Sequence, residues 1–345
     1  MTHSFPSCYT LAVSCLYDGV GLKLHAYYIV HACSSIDLRV SVNSPAMSQT
    51  TTATIEPRSI TLHGTDDRDR PLPEVPILDN ATVTADQIVQ ALIKAGGCVI
   101  KNAVPMEALA EIEKDTRPYL DADTEWNGDF FPKETRRVNG LAAKSKAFMN
   151  NIVRHTPYQE ACKTLLASSV ESWLGEDERI PSTSKPQLNN TIIFSIGPGA
   201  RAQGLHRDDM IHHNLTRRMS PEDYQIGQDT GIGFFVGAKK TTRQNGATRF
   251  IPGSHLWSPE TPPRESLAHY AELDPGDGFV MLSSCFHGGS ANTTENEERL
   301  VYSCFMTKGF LRQVRALLHV ILLIELEFDH YFRKRINTST TTRRG

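Results

Sequence analysis

The sequence lacks several patterns, and each absence excludes a class of protein. Its seven cysteines form no CxxC pair and are odd in number, which excludes a disulfide framework and a cysteine-based zinc site and fits a reducing compartment. The longest apolar run, residues 316–324, is interrupted by His319 and is far shorter than the roughly 20 residues that span a bilayer. No basic segment followed by a clean apolar stretch indicates a secretory leader. We therefore expect a cytoplasmic protein without a membrane partner.

An excess of one charge sign is also missing. Lys and Arg number 36, Asp and Glu number 39, and the formal net charge is −3. Such a balance provides no basic footprint for a nucleic acid and no cationic surface for anionic lipid. With 39% hydrophobic and 22% charged residues, the composition is typical of a globular protein. Its 345 residues suffice for one large domain or two ordinary ones.

Composition divides the chain into three parts. Residues 1–83 are expected to be a disordered or loosely docked lead-in, because residues 36–76 are rich in Ser, Thr and Pro. Met47 begins a segment that would serve as an ordinary N-terminus, so residues 1–46 need not belong to the fold. Residues 84–313 form the expected domain. Residues 314–345 are expected to be an atypical C-terminal helix and tail, because apolar residues recur there at helical spacing.

The first half of the domain has helical patterns. Thr84 followed by Gln87 is a capping-box pattern, and the apolar residues from 88 to 95 share one helical face. Gly96 and Gly97 then end this helix, and a strand follows. Residues 105–120 and 157–174 are predicted to be two further amphipathic helices.

From residue 187 onward the pattern is that of short strands. Turns rich in Gly and Pro, such as GPGA, IPGSH and DPGDG, separate them. The predicted strands are residues 187–196, 231–237, 247–251, 278–282 and 300–306. This pattern predicts a mainly β fold with N-terminal helices, either an antiparallel barrel or a double-sheet roll.

The segment QGLHRDDMIHHN, residues 203–214, has the highest density of metal-binding residue types. On a strand, His206 and Asp208 would project from the same face while Arg207 points away. His287, which directly follows an apolar strand, is the best third ligand. Two histidines and one carboxylate form the facial triad of non-haem Fe(II) oxygenases.

Alternatives to this assignment stay open at the level of residue types. Asp209, His212 and His213 could form another metal set, although their polar surroundings favour a solvated or substrate-lining role. Arg299, twelve residues after His287, could return beside the metal on an antiparallel strand and bind the carboxylate of a dicarboxylate co-substrate in a bidentate manner. It could instead be a charge on an edge strand.

The motifs HRDD, NGATRFIPGSH, DPGDGFVMLSSCFHGGSANTTENEERLVYS and KGFLRQ resemble the phytanoyl-CoA dioxygenase family. Within it they are most similar to the fungal Fe(II)/2-oxoglutarate-dependent dioxygenases of secondary metabolism. The resemblance covers residues 84–313. It implies a double-stranded β-helix (jelly-roll, cupin-like) covered by N-terminal helices, and often a homodimer. Residues 1–46 and the sequence after KGFLRQ have no counterpart in the family pattern.

The resemblance also implies a role for individual residues. The iron ligands and catalytic residues of the family match His206, Asp208 and His287. Three side chains that hold the co-substrate 2-oxoglutarate match Gln203, Thr248 and Arg299. Arg137 is a looser match to an arginine that lines the pocket. Relatives that transfer halide have Ala or Gly where this chain has Asp208, so the resemblance implies oxidation with Fe(II), 2-oxoglutarate and O2.

We therefore expect a dioxygenase that oxidises a natural product of a fungal pathway, such as a meroterpenoid or an alkaloid. Hydroxylation, desaturation and ring rearrangement all remain open. A phytanoyl-CoA-like lipid hydroxylase is the alternative enzyme, disfavoured because the sequence ends in TRRG and not in a peroxisomal tripeptide. A jelly-roll that binds a small molecule without turnover is the alternative from another class. A zinc hydrolase would have no need for Arg299.

Overall fold

The computed structural model divides the chain into two units, residues 1–61 and residues 62–345. The residues that it describes are 8–17, 22–31, 66–124 and 131–311. In the first unit, β1 (Cys8–Tyr17) and β2 (Leu22–His31) form an antiparallel hairpin. The lead-in prediction did not include this hairpin. The second unit contains all the predicted site residues.

Helices occupy the first part of the second unit. They are α1 (Ala85–Ala95), α2 (Met106–Asp121), α3 (Lys146–Phe148) and α4 (Thr156–Leu166). A π-helical turn, Met149–Val153, connects the last two. Helix α1 packs against α4 and against two strands of the main sheet, so the helices cover one side of the β structure, as predicted.

Local sequence explains both ends of α1. The Thr84 hydroxyl accepts a hydrogen bond from the Gln87 backbone amide, and the Gln87 Oε1 accepts one from the Thr84 backbone amide, which completes the predicted capping box. Gly96 ends the helix in the left-handed region at φ +75°. A Cβ at this position would lie 2.2 Å from the Cys285 Sγ, so both the backbone and the packing require glycine.

Twelve strands of the second unit follow in chain order. They are β3 (Ile77–Asp79), β4 (Gly97–Lys101), β5 (Thr135–Asn139), β6 (Ser168–Leu174), β7 (Glu178–Ser184), β8 (Gln187–Ile196), β9 (Gly231–Gly237), β10 (Thr248–Phe250), β11 (His269–Ala271), β12 (Gly278–Leu282), β13 (His287–Gly289) and β14 (Arg299–Thr307). The strands predicted from residue 187 onward are all present. The strand predicted after Gly96 is also present, as β4, and the remaining strands were not predicted.

Two sheets frame the interior of the unit. The large sheet has seven strands in the order β3-β4-β12-β9-β14-β8-β5, and the small sheet has three in the order β11-β10-β13. Within the large sheet only β3 and β4 pair in parallel. Phe250 of the small sheet lies 4.8 Å from Phe279 of the large sheet, ring centroid to centroid. The aromatic core therefore joins the two sheets, and the predicted mainly β fold of the jelly-roll type is confirmed.

The helix predicted for residues 157–174 is wrong in its second half. Helix α4 ends at Leu166, and Ala167 has extended backbone angles. Residues 168–174 instead form β6, which pairs with β7 as an exposed hairpin. Two adjacent serines and Val170 have low helix propensity, and the cross-strand partner, which lies outside a local sequence window, determines the strand.

The structured region also begins earlier than the expected boundary at residue 84. Strand β3 pairs with β4 inside the large sheet. Asp67 is buried and accepts hydrogen bonds from the Ser258 amide and the Thr261 hydroxyl. These contacts anchor residues 66–83 to the domain. The predictions for residues 32–65 and 314–345 lie outside the described residues.

The absences in the sequence have structural counterparts among the described residues. Cys98, Cys162, Cys285 and Cys304 are free and buried. Burial raises the pKa of Cys98 to about 12, so this thiol stays protonated near neutral pH. Across the same part of the chain, every helix is too short or too polar to cross a bilayer.

Glu298 fixes the start of β14 from the outer side of the large sheet. Its carboxylate accepts hydrogen bonds from the Arg117 Nη1 at 3.0 Å, the Lys239 Nζ at 2.6 Å and the Ser195 Oγ at 2.6 Å. Partial burial raises the pKa of Glu298, but the hydrogen bonds from these three groups outweigh it and lower the pKa to about 2. The ionised carboxylate therefore ties α2, β8 and the loop after β9 to the residue that precedes Arg299.

We expect Glu298→Gln to lower the free energy of unfolding by about 1–3 kcal/mol at pH 7. Because the folded-state pKa lies below the ordinary value of 4.5, this contribution is present above that value and is lost as the pH falls toward 2. Urea unfolding of both proteins at several pH values measures the difference. Glu295→Gln, at an exposed position, is the control. A difference that does not shrink between pH 7 and pH 3 would contradict the assigned role.

Candidate metal centre

Backbone hydrogen bonds bring the two histidines of the predicted triad together. The His206 amide donates to the His287 carbonyl at 2.9 Å, and the His287 amide donates to the His206 carbonyl at 2.8 Å. The pair forms an isolated antiparallel bridge, and the ring centroids are 4.6 Å apart. Two residues far apart in sequence thus present their imidazoles side by side.

Asp208 reaches the same point because the backbone remains extended for one more residue. Arg207 has φ −113° and ψ 130°, so the side chains on either side of it share one face. The Arg207 guanidinium points the other way, 3.9 Å from the Phe286 ring centroid, and donates to the Ser254 carbonyl. A 3₁₀ turn begins at Asp208, so the predicted strand is a single bridge followed by a turn, while the predicted convergence is observed.

The outer nitrogen of each imidazole faces a backbone carbonyl. His206 Nδ1 lies 2.9 Å from the Gly204 oxygen, and His287 Nδ1 lies 3.0 Å from the Cys285 oxygen. A carbonyl can only accept, so each Nδ1 carries the proton and each Nε2 lone pair is directed inward. This arrangement of a histidine held by a backbone acceptor is usual at metal sites.

The carboxylate of Asp208 lies between the two inward nitrogens. Oδ1 is 3.5 Å from the His206 Nε2, and Oδ2 is 3.5 Å from the His287 Nε2. Burial by itself would raise the pKa of Asp208, but the neighbouring His287 and His206 outweigh it and lower that pKa. Burial by itself would lower the pKa of His287, but the charge of Asp208 and the hydrogen bonds of the ring together outweigh it and raise that pKa. The cluster therefore attracts positive charge.

These observations fit a divalent cation. The donor atoms of His206, Asp208 and His287 all lie within 4.8 Å of one another, and no other potential metal cluster occurs among the described residues. Two neutral nitrogens and one carboxylate suit Fe(II) and leave coordination positions for other ligands. The structure thus assembles the three residues that the sequence predicts as iron ligands.

Arg299 lies in the same cavity, and no described residue forms an ion pair with it. It is 4% exposed, its Nη2 donates to the Thr248 Oγ1 at 2.6 Å, and its Nε has no hydrogen-bond partner in the described structure. Burial lowers the pKa of Arg299 to about 10, so it remains protonated near neutral pH. An unneutralised buried guanidinium is costly, and a carboxylate that enters the cavity would satisfy it.

Gln203 is held beside the metal ligands by the small sheet. The Gln203 Oε1 accepts a hydrogen bond from the Gly289 backbone amide at 3.0 Å, and the Gln203 backbone amide donates one to the Gly289 carbonyl. Arg249, which sequence reasoning missed, donates to the Gln203 carbonyl and forms an ion pair with Glu265. It lies opposite Gly288 in the small sheet, a cross-strand pairing that no local sequence pattern reveals.

A cavity of about 290 Å³ connects these groups. It lies between the sheets, since both the small-sheet residues Thr248 and His287 and the large-sheet residue Arg299 line it. Its walls are otherwise largely apolar and include Phe131, Ile192, Phe194, Phe235, Phe305 and Met306. A mostly apolar cavity with a few convergent polar groups is the usual form of a small-molecule site.

The alternative metal set is not brought together. Asp209 is buried and accepts a hydrogen bond from the Asn214 Nδ2 at 2.6 Å, and burial raises the pKa of Asp209 to about 6. His213 is exposed, whereas His212 lines the cavity. Arg137 packs 4.4 Å from the Phe131 ring centroid and is not among the described residues that line the cavity.

Comparisons with known proteins agree with this chemistry. The Phytanoyl-CoA dioxygenase (PhyH) family matches residues 92–300. The dioxygenase himG of Aspergillus japonicus is 43% identical over 71% of this chain and 75% of its own length. The dioxygenase peniF of Penicillium patulum is 38% identical over 76% of this chain and 85% of its own length.

A solved structure, HygX from Streptomyces hygroscopicus with nickel and 2-oxoglutarate bound, has a weaker likeness. Its TM-score is 0.48 and its sequence identity 15%, with 68% of this chain and 91% of HygX covered.

We expect His206→Ala, Asp208→Ala and His287→Ala each to weaken Fe(II) binding by about 100-fold or more, because each removes one of three ligands. Anaerobic calorimetry with Fe(II), followed by metal analysis after gel filtration, measures the loss. His213→Ala is the matched control and should bind iron normally. Full iron occupancy in all three variants, or an equal loss in His213→Ala, would contradict the triad.

Proposed function

The chain belongs to the phytanoyl-CoA dioxygenase family and is an Fe(II)- and 2-oxoglutarate-dependent dioxygenase, and we propose that it oxidises a mainly apolar intermediate of a fungal secondary-metabolite pathway. The observation that carries the proposal is the buried Arg299, which forms no ion pair with a described residue and lies in the same cavity as the triad. A metal site alone fits many enzymes, whereas a buried guanidinium in the same cavity is suited to a ligand that carries a carboxylate.

In this proposal the residues of the chain bind, orient and shield. His206, Asp208 and His287 would hold the iron, which with 2-oxoglutarate and O2 supplies the oxidising power to attack an unactivated C–H bond. Arg299 binds the distal carboxylate of 2-oxoglutarate, and its hydrogen bond to Thr248 fixes the plane of the guanidinium. Gln203, held by Gly289, contacts the co-substrate from the small sheet.

The apolar walls determine what reaches the metal. Phe194 and Phe235 of the large sheet line the cavity together with Phe305 and Met306, so a substrate is held by burial of apolar surface and water is displaced. The relatives himG and peniF are dioxygenases of fungi, which supports a fungal natural product as the substrate. Hydroxylation, desaturation and ring rearrangement all begin at the same positioned C–H bond.

Location and assembly form part of the proposal. The free, buried cysteines fit a reducing compartment, and we place the enzyme in the cytoplasm. The family resemblance favours a homodimer. Light scattering of the full chain tests the assembly, and a monomer at micromolar concentration would reject it.

We expect Arg299→Ala to retain Fe(II) binding and to raise the 2-oxoglutarate concentration for half-maximal turnover by about tenfold or more, because the buried carboxylate loses its partner. Conversion of 2-oxoglutarate to succinate without added substrate measures this dependence. Arg299→Lys keeps the charge but loses the planar fork. Its 2-oxoglutarate concentration for half-maximal turnover should lie between those of Arg299→Ala and the wild type.

Arg243→Ala, at an exposed position, is the control and should behave like the wild type. An unchanged 2-oxoglutarate dependence in Arg299→Ala would mean that another group binds the carboxylate of 2-oxoglutarate. The proposal would then lose the observation on which it depends.

A further inference from the structure

One part of the cavity is polar and is used neither by the metal ligands nor by the residues assigned to 2-oxoglutarate. His212, Thr230 and Thr307, here called the polar corner, all line the cavity. They come from three elements: the 3₁₀ turn after Asp208, the residue before β9, and the end of β14. These three side chains therefore have no assigned role in binding the metal or 2-oxoglutarate.

The hydroxyl of Thr230 is buried and lacks a hydrogen-bond partner within the described structure. Its carbonyl, in contrast, accepts from the Thr307 Oγ1 at 2.6 Å and from the Lys308 amide at 3.2 Å. The backbone is thus satisfied while the side chain is left without a partner. A hydroxyl in this state is unfavourable unless a ligand or water meets it.

His212 completes the corner as a neutral group. Its Nε2 lies 3.4 Å from the Thr307 Oγ1, and because that hydroxyl already donates to Thr230, the imidazole is the donor in this weak contact. Burial, with a smaller contribution from His213, lowers the pKa of His212. The neutral ring then offers its Nδ1 as an acceptor.

The corner carries no fixed charge. The ammonium group of the adjacent Lys308 donates a hydrogen bond to the Gly227 carbonyl. Arg207, which lines the cavity elsewhere, stacks on Phe286 and donates to Ser254. None of the three residues of the corner is cationic, although Arg201 lines the cavity at an exposed position. A hydroxyl or carbonyl group could exchange hydrogen bonds with Thr230 and His212.

We infer that the polar corner recognises an uncharged hydroxyl or carbonyl group on an otherwise apolar substrate, and so determines how that substrate is oriented at the metal. This inference rests on the proposed function and deepens it. An apolar pocket with one polar corner rejects a molecule that lacks the matching oxygen, because Thr230 is then left unpaired. A substrate with several charged groups, such as a coenzyme A thioester, would not be selected here.

The test compares two probes that differ by one oxygen, 2-naphthol and naphthalene. Their fluorescence reports binding to the full chain loaded anaerobically with Mn(II) and 2-oxoglutarate. We expect the wild type to bind 2-naphthol about fivefold or more tightly than naphthalene. Thr230→Val, which preserves shape and removes the hydroxyl, should bring the ratio close to one, and His212→Asn should reduce it.

Two controls make the result specific. Thr164→Val changes an exposed threonine of α4 and should keep the wild-type ratio, whereas Phe305→Leu should weaken both probes alike. A preference retained in Thr230→Val, or absent from the wild type, would overturn the inference. Thermal melts confirm that each variant is folded.

Succinate formation distinguishes failure of this inference from failure of the proposed function. Thr230→Val should still convert 2-oxoglutarate to succinate with Fe(II), because it leaves the metal ligands and Arg299 in place. A wild type that forms no succinate would overturn the proposed function and, with it, the assignment of the corner to a substrate. A loss of succinate formation in a folded Thr230→Val would show that the corner serves the co-substrate instead.

Discussion

The site depends on one pair of backbone hydrogen bonds, those exchanged by His206 and His287. They fix the distance between the two imidazoles before any ligand is bound. The extended backbone of Arg207 then places Asp208 on the same face, and the carbonyls of Gly204 and Cys285 orient the rings. Preorganisation of this kind lets a metal bind without reordering side chains. Since β13 begins at His287 and pairs with β10, which contains Thr248, the same bridge connects the candidate metal ligands to the residues near Arg299.

Opposite charges inside one cavity are the second constraint. The triad attracts a cation, and Arg299 attracts an anion, yet the structure leaves both unneutralised by other described residues. Successive side chains of a strand point to opposite faces, and this explains how the buried charge of Arg299 is tolerated. Glu298 and Arg299 are neighbours on opposite faces: Glu298 is paired three times outside, while Arg299 faces inward. The outer network holds the strand, and the inner charge is kept for a ligand. The buried charge of Arg299 thus lowers stability at a position where the function requires it.

The sequence allowed the domain core to be predicted, and it named six candidate site residues that line one cavity, because both rest on local patterns and on motifs of fixed spacing. The capping box at Thr84, the strands from residue 187 onward and the same-face relation of His206 and Asp208 are of this kind. What could not be predicted depends on contacts that one segment of sequence does not reveal. Strand β6 exists because β7 pairs with it, β3 because β4 is its neighbour, and Arg249 acts through a carbonyl 46 residues away. The polar corner joins three segments that share no motif.

The central claim is that the triad and Arg299 form one site for Fe(II) and 2-oxoglutarate. The most direct measurement is the visible absorption of the full chain with Fe(II), recorded without oxygen before and after addition of 2-oxoglutarate. We expect a weak charge-transfer band that appears only when both are present, because the band requires the co-substrate to chelate the bound metal. We also expect that Asp208→Ala does not produce the band. No band in the wild type at saturating Fe(II) and 2-oxoglutarate, or an undiminished band in Asp208→Ala, would contradict the account.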